Sequence, residues 1–132
     1  MTSTALPVEV LSRPELDALL HACSRRSPSG LRYRALIALL YGSGLRIAEA
    51  LAPRPKDVDL DAGTVRVHRG KGSRARTSGI EVGLGEVVRE WADHRRELGA
   101  KGAHPLFCQI TTGRVGRPVS HACVRQMLRR RA

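Results

Sequence analysis

The sequence predicts an α+β domain that is mostly helical and carries one small three-stranded antiparallel sheet. Apolar residues recur at helical spacing towards both ends of the chain, and they alternate with polar residues over a short central stretch. The 132 residues, of which 42% are hydrophobic, fit one domain spanning residues 1–132. No apolar run approaches the roughly 20 residues of a bilayer span, and no secretion signal opens the chain. A cytoplasmic protein without membrane contact is therefore expected.

The first two predicted helices lie within residues 12–44. Ser12 and Glu15 form an S-x-x-E capping box, and Leu11 is placed to pack on the first turn. One apolar stripe at helical spacing follows: Leu16, Leu19, Leu20 and Cys23. A turn over residues 27–30 is expected to separate this helix from a second one over residues 31–41. The second helix is apolar around most of its circumference, which indicates a central, buried element.

A short third helix and a sheet are predicted next. The helix covers residues 45–51, is stopped by the prolines at 53 and 55, and places Arg46 and Glu49 one turn apart. The apolar period then changes from helical spacing to two, which predicts three strands. Their alternating apolar positions are Val58 and Leu60, Val65 and Val67, and Ile80 and Val82.

Two further helices are predicted in the last third of the chain. Residues 84–98 carry Trp91 on an apolar face, and Gly99 closes that helix. Pro105-Leu106-Phe107 is expected to anchor an otherwise polar connection. Ser120 is a good N-cap for a fifth helix, which continues to the end of the sequence.

Charge points to a polyanionic partner. Formal net charge is +11, and residues 67–132 hold 14 basic against 5 acidic side chains. Only three of the 23 cations are lysines, so most are guanidiniums that bind phosphate with two donors. An arginine excess is equally expected from a GC-rich genome, and composition leaves both explanations open. Aromatic residues make up only 3%, which disfavours stacking on single strands. Double-stranded DNA is the expected partner.

Cysteine and histidine usage predicts no metal site. Three cysteines occur without a C-x-x-C pair, which indicates neither a disulfide framework nor a zinc site. Two His-x-Cys pairs are spaced so that they do not share a helix face. Ordinary core and surface roles are expected for these residues.

Several segments together resemble one family. The run L-Y-G-S-G-L-R-I-A-E-A-L at residues 40–51 resembles the first signature box of the tyrosine recombinases, the phage integrase and Xer-like family. Gly70-Lys71-Gly72 lies in a basic hairpin 25 positions after Arg46 and resembles that family's catalytic-lysine loop. D-V-D-L at residues 57–60, P-L-F at 105–107 and G-R-P-V-S at 116–120 also match the family's spacing. The likeness extends from about residue 10 to residue 132.

The resemblance implies a catalytic domain of the DNA breaking-rejoining type. Such enzymes attack a phosphodiester with a tyrosine hydroxyl and form a phosphotyrosyl intermediate, without metal or ATP. By motif match, Arg46 neutralises the charge that grows on the phosphate. Glu49 orients Arg46, and Lys71 protonates the leaving oxygen as general acid. The basic hairpin supplies the predicted DNA-phosphate contacts: Arg66, Arg69, Arg74 and Arg76.

The 132 residues depart from the family pattern in two ways. No H-x-x-R occurs in them, and the two tyrosines, Tyr33 and Tyr41, precede Arg46 and are expected to be packing residues. The resemblance therefore indicates a partial catalytic domain that ends within its fifth helix, without the N-terminal core-binding domain and the C-terminal tyrosine part. A degraded mobile element, a frameshifted gene or an incomplete gene prediction would each give such a chain. We expect it to be inactive alone.

A non-catalytic role is the alternative. A short basic protein could occupy duplex DNA, sequester a full-length recombinase or associate with itself. Binding through counterion release would then weaken steeply as salt rises. A third expectation is that too little core remains, which would favour aggregation.

Overall fold

The computed structural model describes residues 12–67 and 75–131, with the side chains of residues 130 and 131 left aside. Five helices and three short strands occupy the described ranges. The helices are α1 (Arg13–His21), α2 (Pro28–Ser43), α3 (Ile47–Leu51), α4 (Val82–Glu97) and α5 (His121–Arg131). The strands are β1 (Val58–Asp59), β2 (Thr64–Val67) and β3 (Arg76–Gly79), and a 3-10 turn, Pro55–Asp57, precedes β1. The predicted helical α+β class with a three-stranded antiparallel sheet is confirmed.

Helix α1 begins as predicted. The Glu15 N–H donates to Ser12 Oγ at 3.2 Å, and the Ser12 N–H donates to Glu15 Oε1 at 2.8 Å. These two bonds satisfy donors that a helix N-terminus otherwise leaves unpaired. The predicted contact of Leu11 lies outside the described residues.

Helix α2 begins three residues earlier than predicted. Ser27 is its N-cap and accepts a hydrogen bond from the Gly30 N–H at 3.1 Å, and Pro28 occupies the first turn. The turn predicted over residues 27–30 is therefore wrong. Gly30 serves close packing, because a Cβ there would lie 2.0 Å from the Ser24 carbonyl oxygen.

The core forms around α2, as its apolar sequence predicts. Leu36, Ile37, Leu39 and Leu40 of α2 are almost completely buried, and α4 packs along α2 with Val88 and Trp91 fully inside. Helix α1 and the sheet cover other sides of α2. The most apolar segment thus becomes the central element, because it alone has no polar face to offer water.

The sheet has the order β1-β2-β3, with both pairs antiparallel. Val65 pairs with Ser78 and Val67 with Arg76. The third strand is Arg76–Gly79, so the strand predicted from Ile80 and Val82 is wrong. Ile80 follows the strand and is buried, whereas Val82 begins α4 and is 78% exposed.

Hydrogen bonds from two buried side chains and from a backbone N–H hold the connection between α4 and α5 in place. The Trp91 Nε1–H donates to the Leu106 carbonyl at 2.8 Å, and the Leu106 N–H donates to the Pro53 carbonyl at 2.8 Å. Arg95, only 3% exposed, donates to the carbonyls of Lys101 and Pro105 at 2.8 and 3.1 Å. Because these bonds satisfy backbone carbonyls, an irregular segment can pass through the interior.

Two further predictions for this part of the chain are confirmed. Leu106 and Phe107 are each 1% exposed and form the expected anchor. Ser120 caps α5, since its Oγ accepts a hydrogen bond from the Cys123 N–H at 3.1 Å. None of the helices in residues 12–67 and 75–131 is both long and apolar enough to span a bilayer.

Trp91→Phe tests this arrangement. The variant keeps most of the ring volume but leaves the buried Leu106 carbonyl without its donor, so the free energy of unfolding should fall by about 1–3 kcal/mol. Denaturant unfolding at constant pH measures the change. Val82→Ala, at an exposed position of the same helix, should change stability by less than about 0.5 kcal/mol. Equal losses in the two variants would contradict the role of the indole bond.

Candidate functional site

Arg46 lies on a tight turn between two helices. Helix α2 ends at Ser43, and Gly44 follows in the left-handed conformation at φ 68°, which a glycine adopts without strain. Leu45 then turns into the core and is 1% exposed. The next residue, Arg46, is the N-cap of α3 and is exposed. Buried neighbours on both sides of Arg46, Leu45 and Ile47, therefore fix its backbone while its side chain faces solvent.

Glu49 connects this turn to the sheet. Its Oε1 accepts a hydrogen bond from the Arg46 backbone N–H at 3.0 Å. Arg76 Nη2 lies 3.3 Å from Oε1 and 3.2 Å from Oε2 of the same carboxylate. The predicted pair Arg46 and Glu49 is brought together, but the contact is with the Arg46 backbone. The orienting role predicted for Glu49 stays a prediction.

The surroundings of Glu49 favour its ionised form. Partial burial acts to raise the pKa of Glu49, but the Arg46 N–H bond, the Arg76 hydrogen bond and the positive charges of Arg76 and Arg46 outweigh it. The pKa of Glu49 is therefore below its ordinary value. At neutral pH the carboxylate is charged and joins two basic residues.

The pleat of the sheet separates the predicted DNA-binding arginines. Arg76 and Ser78 lie on the face directed towards the helices, since Arg76 reaches Glu49 and the Ser78 hydroxyl donates to the Ser43 carbonyl at 3.0 Å. Arg66 pairs with Thr77 across the strands and lies on the opposite, solvent-facing side. Arg66 and Arg76 therefore do not form one continuous patch.

Three of the predicted site residues lie outside the described ranges: Lys71, Arg69 and Arg74. Their predicted roles as general acid and DNA contacts stay predictions. Sequence reasoning missed the hydrogen bond from the Ser78 hydroxyl to the Ser43 carbonyl. The only signal for it was the spacing of two between Arg76 and Ser78, which places both on one face of a strand.

Both tyrosines pack against the core, as predicted. Burial raises the pKa of the Tyr41 hydroxyl. Burial and a contact with Cys123 Sγ at 3.5 Å raise the pKa of Tyr33. Within the described part of the chain, no group of three or more His, Cys, Asp or Glu residues could hold a metal ion.

The comparison with protein families decides the assignment. The model of the phage integrase family matches residues 9–132. The chain belongs to this family of tyrosine recombinases. It is 38% identical over 101 residues to the tyrosine recombinase XerD of Ralstonia nicotianae. This match covers 75% of this chain and 33% of XerD. The chain is 41% identical over 98 residues to the tyrosine recombinase XerC of Xanthomonas axonopodis pv. citri, covering 74% and 30%.

Solved structures share the fold. The XerA recombinase superposes with a TM-score of 0.73 at 21% identity, over 92% of this chain and 41% of that one. The XerH site-specific recombinase bound to its difH substrate, in a pre-cleavage complex, gives a TM-score of 0.72 at 26% identity. That match covers 96% of this chain and 36% of XerH. The chain thus spans about a third of the length of the curated relatives it matches.

The lowered pKa of Glu49 predicts a pH-dependent contribution to stability. A carboxylate whose pKa is lower in the folded state stabilises the fold above its ordinary value of 4.5. This contribution is lost as the pH falls through the folded-state pKa. The stability difference between the wild type and Glu49→Gln should therefore be largest near neutral pH and shrink in acid. Urea unfolding across pH measures it, with a carbon-detected NMR titration of Glu49. A difference that grows on acidification would contradict the assignment.

Proposed function

We propose that this chain forms part of a site-specific tyrosine recombinase that binds double-stranded DNA. The observation that carries the proposal is the exposed Arg46 at the start of α3, whose backbone is fixed by Glu49 beside the sheet. An arginine on a preorganised backbone can neutralise a phosphate as negative charge develops on it. The recombinases XerD and XerC, similar over three quarters of this chain, and the XerH complex with difH support the proposal.

The proposed chemistry divides between two elements. Arg46 binds the scissile phosphate through its two-donor guanidinium and stabilises the pentavalent transition state. Lys71, in the segment between β2 and β3, delivers a proton to the leaving 5′ oxygen. A lysine amine on a flexible side chain is suited to proton transfer, and a guanidinium that keeps its charge is suited to stabilising negative charge. Glu49 keeps the start of α3 in place.

We further propose that these 132 residues form a single partial catalytic domain and do not cleave DNA by themselves. They contain no H-x-x-R sequence, and their two tyrosines, Tyr33 and Tyr41, pack against the core. The nucleophilic tyrosine and the H-x-x-R arginine must then be supplied by other residues.

A non-catalytic role in duplex-DNA binding is the second candidate. The net charge of +11 favours it. Arg66 is exposed on the solvent-facing side of β2, where it can contact phosphate, and Arg69 and Arg74 follow in the same basic segment. The two candidates differ in whether Arg46 acts on the reacting phosphate.

Absence of cleavage is the first expected outcome. The purified chain is incubated with a nicked duplex that traps covalent intermediates, and adducts are sought on a denaturing gel. No protein–DNA adduct should form, because no activated tyrosine is available. An adduct that disappears in Tyr33→Phe or Tyr41→Phe would contradict the proposal that the chain is inactive by itself.

DNA affinity should fall steeply with salt. Each phosphate contact contributes about 0.9 to the slope of log K against log salt, so Arg66→Ala should lower that slope by about 0.9. Fluorescence anisotropy with a short mixed-sequence duplex measures it. Arg96→Ala removes an exposed charge on α4, paired there with Asp93 at 2.7 Å, and should leave the slope unchanged. Equal changes in the two variants would show only a general charge effect.

A further inference from the structure

We propose that Arg76 is a positioning residue that holds Arg46 in place through Glu49, and that it does not bind DNA phosphate itself. The inference rests on the proposed function, because that function gives Arg46 the contact with phosphate. It also separates Arg76 from the other arginines of the basic hairpin, with which sequence alone groups it.

The first argument is the geometry of the Glu49 carboxylate. Arg76 Nη2 donates to both carboxylate oxygens, at 3.3 and 3.2 Å, and the Arg46 N–H donates to one of them at 3.0 Å. The Glu49 side chain is only 19% exposed, whereas that of Arg76 is 41% exposed. The carboxylate is therefore confined between the strand and the first turn of α3.

The second argument is a parallel contact two residues further along β3. The Ser78 hydroxyl donates to the Ser43 carbonyl at 3.0 Å, immediately before the turn that leads to Arg46. From the same face of β3, Arg76 contacts Glu49 after the turn and Ser78 contacts Ser43 before it. The strand thus holds the Arg46 turn at both ends.

The third argument is electrostatic. A phosphate bound by Arg76 would share the guanidinium charge with Glu49, which Arg76 contacts through Nη2, and it would weaken the hold on this partly buried carboxylate. Arg66 can bind a phosphate without this competition, since it makes no ion pair within the described part of the chain and lies on the solvent-facing side. The two arginines of the sheet therefore have different roles.

Salt dependence of DNA binding separates positioning from direct contact. Arg46→Ala and Arg66→Ala should each lower the slope by about 0.9, and their combination by about 1.8. Arg76→Ala should lower it by no more than Arg46→Ala does. The Arg46→Ala/Arg76→Ala double variant should again lose only about 0.9, since both changes remove the same contact. A loss of about 1.8 in that double variant would overturn the proposal.

Hydrogen exchange of the Arg46 amide tests the positioning without DNA. In Arg76→Ala the amide should exchange several-fold faster, because Glu49 is no longer held, while the amides of α2 and α4 keep their protection. Arg66→Ala should leave the Arg46 amide unchanged. An unchanged Arg46 amide in Arg76→Ala would overturn the proposal.

Arg76→Lys keeps the charge with fewer donors and should give an intermediate exchange rate. If Arg76→Ala also removes the amide protection of α2 and α4, the Arg76→Lys variant provides the test. A wild-type exchange rate of the Arg46 amide in Arg76→Lys would then overturn the proposal. If Arg46→Ala leaves the salt slope unchanged, it is the phosphate contact of the proposed function that fails. Amide exchange then still decides the positioning role by itself.

Discussion

The packing of α2 against α4 is the interaction on which the rest of the structure depends. Helix α2 buries residues around almost its entire circumference, and α1, α3, α4 and β3 pack against it. Burial on this scale is the main favourable term in folding, and it fixes where α2 ends. Gly42 packs closely against α4, since a Cβ there would lie 2.8 Å from Leu84 Cδ1. The turn that presents Arg46 thus begins at a point set by the core.

Hydrogen bonds at both ends of α3 fix the position of Arg46 relative to the core. Gly44 and Leu45 reverse the chain, and Arg46 begins α3 with its backbone bound by Glu49. On the far side of α3, the Pro53 carbonyl accepts the Leu106 N–H, and Leu106 is held in turn by Trp91 of α4. Helix α3 has only five residues and could not persist alone. Contacts at both of its ends therefore maintain it, and with it the position of Arg46.

The distribution of charge follows from the same framework. Two acidic residues of α4 form ion pairs, Glu90 with Arg25 at 3.0 Å and Asp93 with Arg96 at 2.7 Å. Arg66, by contrast, is exposed on the solvent-facing side of β2. The DNA-binding surface proposed above needs such cations that are not already neutralised by a carboxylate.

The sequence by itself determined the fold class, the capping of α1 and α5, the buried anchor at Leu106 and Phe107, and the family. These features depend on local chemistry: a serine at an N-cap, a period of apolar residues, or the short motif around Arg46. The sequence places the start of α2 three residues too far along the chain, because a glycine at position 30 is typical of a turn. In the structure Gly30 lies within the helix, where the Ser24 backbone leaves no room for a side chain.

Only the tertiary structure decided the contacts between distant segments. The third strand is polar, because Arg76 and Ser78 face the ends of helices and satisfy Glu49 and the Ser43 carbonyl. No apolar alternation marks such a strand, so the pattern pointed to Ile80 and Val82 instead. The separation of Arg66 from Arg76 likewise depends on strand register. Register is set by pairing between strands, and no single stretch of sequence contains it.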